Sequence, residues 1–194
     1  PRSMHDATAG AGQASPFGDL PEWDLSDLYE GPDSAAYAAD LDAVQAEALA
    51  FAADFEGKLA DLSGDGLAGA MIRYETMSGK IGRVMSYAGL RYYQNTSDAT
   101  RATFMGDAQG RITDDTAPMV FFTLELNRIP DERLAAQLAE SAGLRKYAPW
   151  IERQRALRPY QLSDELEKYL HDASVVGAAA WNRLFDETME RLSF

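Results

Sequence analysis

Residues 66–127 read GLAGAMIRYETMSGKIGRVMSYAGLRYYQNTSDATRATFMGDAQGRITDDTAPMVFFTLELN, and the spacing of their apolar residues decides the fold. Leu67, Met71, Tyr74, Ser78, Ile81, Met85, Ala88 and Tyr92 recur at intervals of four and three, which places them on one helical stripe. Ala102, Met105, Gln109, Ile112, Thr116, Met119, Thr123 and Leu126 repeat the pattern, flanked by a second apolar row from Phe104 to Leu124. The spacing therefore predicts two long antiparallel helices, Leu67–Tyr93 and Asp98–Asn127, each about 40 Å long at roughly 1.5 Å per residue. Between them, Asn95 suits a left-handed C-terminal position, and Ser97 or Asp98 suits the next N-cap. Pro118 has no N–H for the carbonyl of Asp114, so a kink is expected there. Gly79, Gly82, Ser86 and Gly89 put small side chains on the first helix. Two readings stand: close packing of a neighbouring helix, or a surface kept low to line a cavity.

Shorter helices are expected to lean on this pair. Asp33 or Ser34 can cap a helix reaching Glu56, with Tyr37, Leu41, Val44, Ala48, Phe51 and Phe55 on its inner face. Beyond Pro130, helices are expected over about 131–141, 148–157, from the Ser163 cap onward, and 178–192, the last burying Trp181, Leu184, Phe185, Thr188 and Leu192. Leu166, Tyr169 and Leu170 are expected to face inward as well. Upstream, residues 1–19 read as a flexible leader, and residues 20–194 as one helical lobe. Trp23, Leu25, Leu28 and Tyr29 are the anchors expected to pin the segment after the leader to the body. No sustained two-residue alternation or hairpin signal argues for strands, so the expected class is an all-α multi-helix bundle.

The 194 residues carry 18 Lys and Arg against 31 Asp and Glu, a net charge of −13. Such a surface repels phosphate, which argues against nucleic acid and anionic membranes as partners. Cysteine is absent, so disulfides and thiolate metal sites are excluded, and a cytoplasmic location is the default expectation. No apolar run approaches the roughly 20 residues that span a bilayer.

Chemistry-bearing patterns are sparse. His5 and His171 are the two histidines, and Asp172-Ala173-Ser174-Val175 after His171 breaks the His-Glu-x-x-His pattern of a zinc peptidase helix. Glu167 and His171 share a helix face but read as a surface pair. Asp114 with Asp115, and Asp186 with Glu187 and Glu190, read as solvated acidic faces. Arg145, Lys146, Arg153, Arg155 and Arg158 form a basic group, read as a solvated rim or acid-pairing surface before a peptide carboxylate site. Residues alone thus give a helical module with no catalytic residue and no metal or cofactor site of its own.

Three segments add a resemblance. Trp23-Asp24-Leu25-Ser26-Asp27-Leu28-Tyr29, Tyr87-Ala88-Gly89-Leu90-Arg91-Tyr92-Tyr93 with Asn95-Thr96-Ser97-Asp98, and Leu162-Ser163-Asp164-Glu165-Leu166-Glu167 followed by Ala180-Trp181-Asn182-Arg183-Leu184-Phe185 resemble the N-terminal region of oligoendopeptidase F. That family belongs with the thimet-oligopeptidase-like zinc metallopeptidases. The resemblance implies the N-terminal lobe of a two-lobed helical peptidase, forming one wall of a channel that admits short peptides. It implies a C-terminal catalytic domain of the same protein as partner, which holds the zinc and the His-Glu-x-x-His helix. This chain is then expected to be inactive alone. Within that reading Tyr92 and Tyr93 are the candidates to approach the substrate channel, and homo-oligomers are an open possibility. The alternative is a stand-alone helical interaction or scaffold module without enzymatic activity, with its apolar stripes fully buried.

Overall fold

The computed structural model describes residues 21–190 and Leu192, and every regular element among them is helical. α1 (Ala35–Phe55) begins where the Ser34 hydroxyl accepts from the Tyr37 amide, and it buries Tyr37, Val44, Ala48 and Phe51. α2 (Gly64–Tyr93) is capped by Ser63, whose hydroxyl accepts from Gly66. At 30 residues it reaches about 45 Å and is the spine of the lobe. α3 (Ala99–Thr116) returns alongside it from the Asp98 cap, whose carboxylate accepts from the Thr100 and Arg101 amides. These N–H groups hold the Asp98 carboxyl below the usual range.

The long pair is present, with two differences from the sequence reading. Pro118 divides the second helix instead of merely kinking it: α3 stops at Thr116, residues 117–119 form one 3-10 turn, and α4 (Phe121–Arg128) resumes. The Ala117 amide takes the Asp114 and Thr113 carbonyls, and the break seats Met119, Phe121 and Phe122 against the core. Asn95 is not left-handed, since the only positive φ among the described residues belongs to Gly57. Its side chain instead accepts from the Ser97 amide and hydroxyl, a local turn that needs no left-handed residue.

Four shorter helices close the body and its flank: α5 (Asp131–Glu140), the single turn α6 (Ala142–Arg145), α7 (Ala148–Arg155) and α8 (Asp164–Ala173). α9 (Ala178–Glu190) follows. α5 and α6 pack on the first half of α2, and α7 packs on α4. Ser141 ends α5 and caps α6 by accepting from the Leu144 amide, so α5 stops before Gly143. Gly64 is the position where backbone approach is closest: a Cβ there would lie 2.3 Å from the Gln137 carbonyl oxygen.

The core forms two clusters joined at Ile81. One gathers Phe51, Leu67, Met71, Met77, Phe122, Leu126 and Ile151; the other gathers Tyr29, Tyr37, Val44, Val84, Tyr87 and Ile112. In the second, Tyr29 donates to Asp40 at 2.8 Å while the Arg83 guanidinium lies 4.4 Å above its ring. Burial, then this hydrogen bond, raises the Tyr29 phenol, and burial pushes Tyr37 up to about 12. Burial alone would raise Asp40, but Tyr29, Lys80 and Arg83 outweigh it and hold the carboxyl below its usual value. Leu25, Leu28 and Tyr29 thus anchor the upstream segment as expected, whereas Trp23 is exposed.

Asp115, expected on a solvated face, is structural, while the acid-pairing reading of the basic group holds for Arg155 and Arg158. Asp115 is buried and paired with Arg111 at 2.6 Å, and Arg111 also reaches Asp42 on α1. Arg155 donates to the Leu126 and Ile129 carbonyls at 2.7 and 2.8 Å, satisfying the end of α4, and both Arg155 and Arg158 pair with Asp131. Those cations hold the Asp131 carboxyl low.

The largest departure lies at α8 and α9. The side chains expected to be buried there are exposed: Leu166, Tyr169, Leu170, Trp181, Leu184, Phe185, Thr188 and Leu192. Periodicity reports that a helix has an apolar face, and that face is not covered by the described residues.

Candidate functional site

An open groove runs along α2, and its floor is set by residue size. Gly79 and Gly82 are exposed, and a Cβ built on either meets no atom within 4 Å. Close helix packing is therefore not their role; of the two readings of these small residues, the low surface lining a cavity holds at Gly82. One cavity of about 640 Å³ lies between α2, α4 and α8, lined by Tyr74, Ser78, Ile81, Gly82, Thr116, Met119, Val120, Thr123, Leu124, Glu167, Leu170 and His171. A second, of about 520 Å³, shares Tyr74 and Ser78 and continues past Met71 and Glu75 to Lys146, Tyr147 and Trp150. From Met71 to Gly82 the floor spans about 16 Å of helix, at roughly 1.5 Å per residue.

Tyr74 is the hinge of the two cavities. Its ring stacks on Phe122 with centroids 4.6 Å apart and lies 5.8 Å from Trp150. Burial raises its phenol. Tyr147 donates to the Glu75 carboxylate, and that bond raises the Tyr147 phenol.

The far wall is built by α8. His171 donates from Nε2 to the Thr113 carbonyl at 3.0 Å, docking α8 onto α3. Glu167 accepts from the Leu162 amide at 2.8 Å, and Arg128 pairs with Asp164 on the first turn of α8. Glu167 and His171 are thus half-buried wall residues, not the surface pair their spacing suggested. Among the described residues no cluster of three or more His, Cys, Asp or Glu is placed to hold a metal ion.

Tyr92 and Tyr93 lie outside this groove, at the other end of α2. Their ring centroids are 5.3 Å apart, Tyr92 is buried and Tyr93 exposed, and both border a cleft of about 150 Å³ with Met105, Gln109, Asn182 and Arg183. Sequence reasoning offered the groove only as one of two readings of the small residues on α2, without its α4 and α8 walls. Its available signal was the run Ser78, Gly79 and Gly82 in mid-helix, where small polar residues interrupt an apolar stripe.

Residues 125–194 match the family model described as Oligopeptidase F. Oligopeptidase PepF of Bacillus subtilis (strain 168) is 28% identical over 160 residues, which cover 82% of this chain and 23% of that relative. The chain is similar to the N-terminal region of oligopeptidase F. The oligopeptidase F match begins within α4 and takes in the α8 wall of the groove and all of α9. The chain spans less than a quarter of the PepF length. No solved structure matches it. None of the described helices is long and apolar enough to cross a membrane.

Proposed function

We propose that this chain is the N-terminal, non-catalytic lobe of an oligopeptidase F-like zinc peptidase, and that the α2 groove is its share of the peptide channel. The observation that carries the reading is the groove itself: long, open and kept low at Ser78 and Gly82, in a chain similar to oligopeptidase F. Its length suits about five residues of extended peptide at roughly 3.3 Å each. Tyr74, Ile81, Met119 and Leu124 offer apolar contact, while the Ser78 and Thr123 hydroxyls can serve peptide N–H and C=O groups and Thr116, whose hydroxyl donates to the Ile112 carbonyl, can accept from an N–H. Hydrolysis then belongs to the downstream part of the polypeptide, which supplies the zinc and the water-activating carboxylate. This lobe contributes binding and orientation. The exposed stripes of α8 and α9 count against a closed stand-alone module.

The test is peptide hydrolysis by the full-length protein carrying Gly82→Trp. An indole on the floor of the groove should raise KM several-fold with zinc content unchanged. Unaltered kinetics would refute the assignment of the groove to the channel.

A further inference from the structure

α9 is amphipathic in the reverse sense of a helix that completes its own lobe. Asn182, Arg183 and Asp186 border the cleft against the end of α2 and the middle of α3, so its polar row faces the body. Trp181, Leu184 and Phe185, on the other side, are 71%, 52% and 63% exposed. α8 does the same: His171 docks on α3 while Leu166 and Tyr169 point away, the tyrosine 66% exposed. Most of the exposed large apolar side chains of the described residues fall between 157 and 192. Water does not select such a face unless something covers it, since a helix in a globular protein turns its apolar stripe to a core.

We propose that the outward apolar face of α8 and α9 is the docking surface for polypeptide downstream of residue 194 in the same protein. The proposal rests on the reading of this chain as one lobe of a longer peptidase, and it names the residues by which that lobe joins the remainder. Two observations select this occupant. PepF is far longer than this chain, which covers 23% of it, so the relative has further polypeptide that could supply a cover. A second copy of this chain would bring together two bodies of net charge −13, which opposes self-association. An anionic membrane is opposed by the same charge.

The test places a photoreactive side chain on the face in the full-length protein: Phe185→p-benzoylphenylalanine and, separately, Tyr169→p-benzoylphenylalanine. Leu49→p-benzoylphenylalanine on the exposed side of α1 is the control. After irradiation, mass spectrometry should find both face probes joined to residues downstream of 194 in the same polypeptide, with a yield unchanged on dilution. The control should give no such product. Cross-links to a second copy that grow with concentration would overturn the proposal, as would links confined to residues 21–192 or an intact, incorporated probe that joins nothing. Peptide hydrolysis is assayed on the same samples. Downstream cross-links without hydrolysis would keep the docking surface and refute the peptidase reading; hydrolysis without cross-links would do the reverse.

Discussion

Replacing Gly79 and Gly82 by alanine should stabilise the lobe. Glycine inside a helix costs about 1 kcal/mol relative to alanine, because the unfolded chain has more freedom to lose. The new methyl groups meet no atom within 4 Å at either position, so there is no steric term to subtract. Gly79→Ala with Gly82→Ala should therefore add up to about 2 kcal/mol. A domain of this size gains about 2–4 °C per kcal/mol, so Tm should rise by roughly 4–8 °C in calorimetry of the 194-residue chain. A fall in Tm would refute the reasoning, since it would mean that another backbone or side chain occupies the space above α2. The same result would remove the groove, because a floor already in contact cannot admit a peptide.

Gly64→Ala should act in the opposite direction: its Cβ would lie 2.3 Å from the Gln137 carbonyl, so α2 and α5 must separate and denaturant unfolding should show a loss of about 1–3 kcal/mol. Phe122→Ala removes a fully buried ring that touches Phe51 and Tyr74, and the midpoint of urea unfolding should report a loss of about 3–5 kcal/mol. Asp40→Asn should matter only where the carboxylate is ionised. Because folding holds its carboxyl below the unfolded value of about 3.9, the stability it contributes is complete above that pH and is lost as pH falls through the folded value. The stability gap between wild type and variant should thus narrow as the medium is acidified below about pH 4, and a gap independent of pH would contradict the pairing with Tyr29, Lys80 and Arg83.

The helical class, the α1 inner face and the Ser163 cap were legible, and the Ser34 and Asp98 caps to within one residue, because each rests on contacts within a few residues. The split at Pro118 was only half legible: the missing N–H is local, but whether the axis bends or breaks depends on α1 packing against residues 117–119. Asp115 looked solvated because it sits in an acidic run, and its burial depends on Arg111 one turn earlier and on the α1 surface beyond. The orientation of α8 and α9 was not legible at all. An amphipathic period gives the angle of the apolar face around the helix axis, whereas which neighbour covers it depends on chain far away in sequence. The choice between packing and cavity at Gly79 and Gly82 stayed open for the related reason that a glycine stripe fits a tight interface and an empty one equally well until the neighbouring helices are in place.

The measurement closest to the central claim is peptide hydrolysis and bound zinc in three samples: this chain, the separately expressed downstream region, and the two mixed. The account predicts no hydrolysis and no stoichiometric zinc in the 194-residue chain, zinc in any sample that contains the downstream region, and full hydrolysis only when both parts are present. Zinc-dependent hydrolysis by this chain alone would contradict it, as would full hydrolysis by the downstream region that is unaffected by adding the lobe.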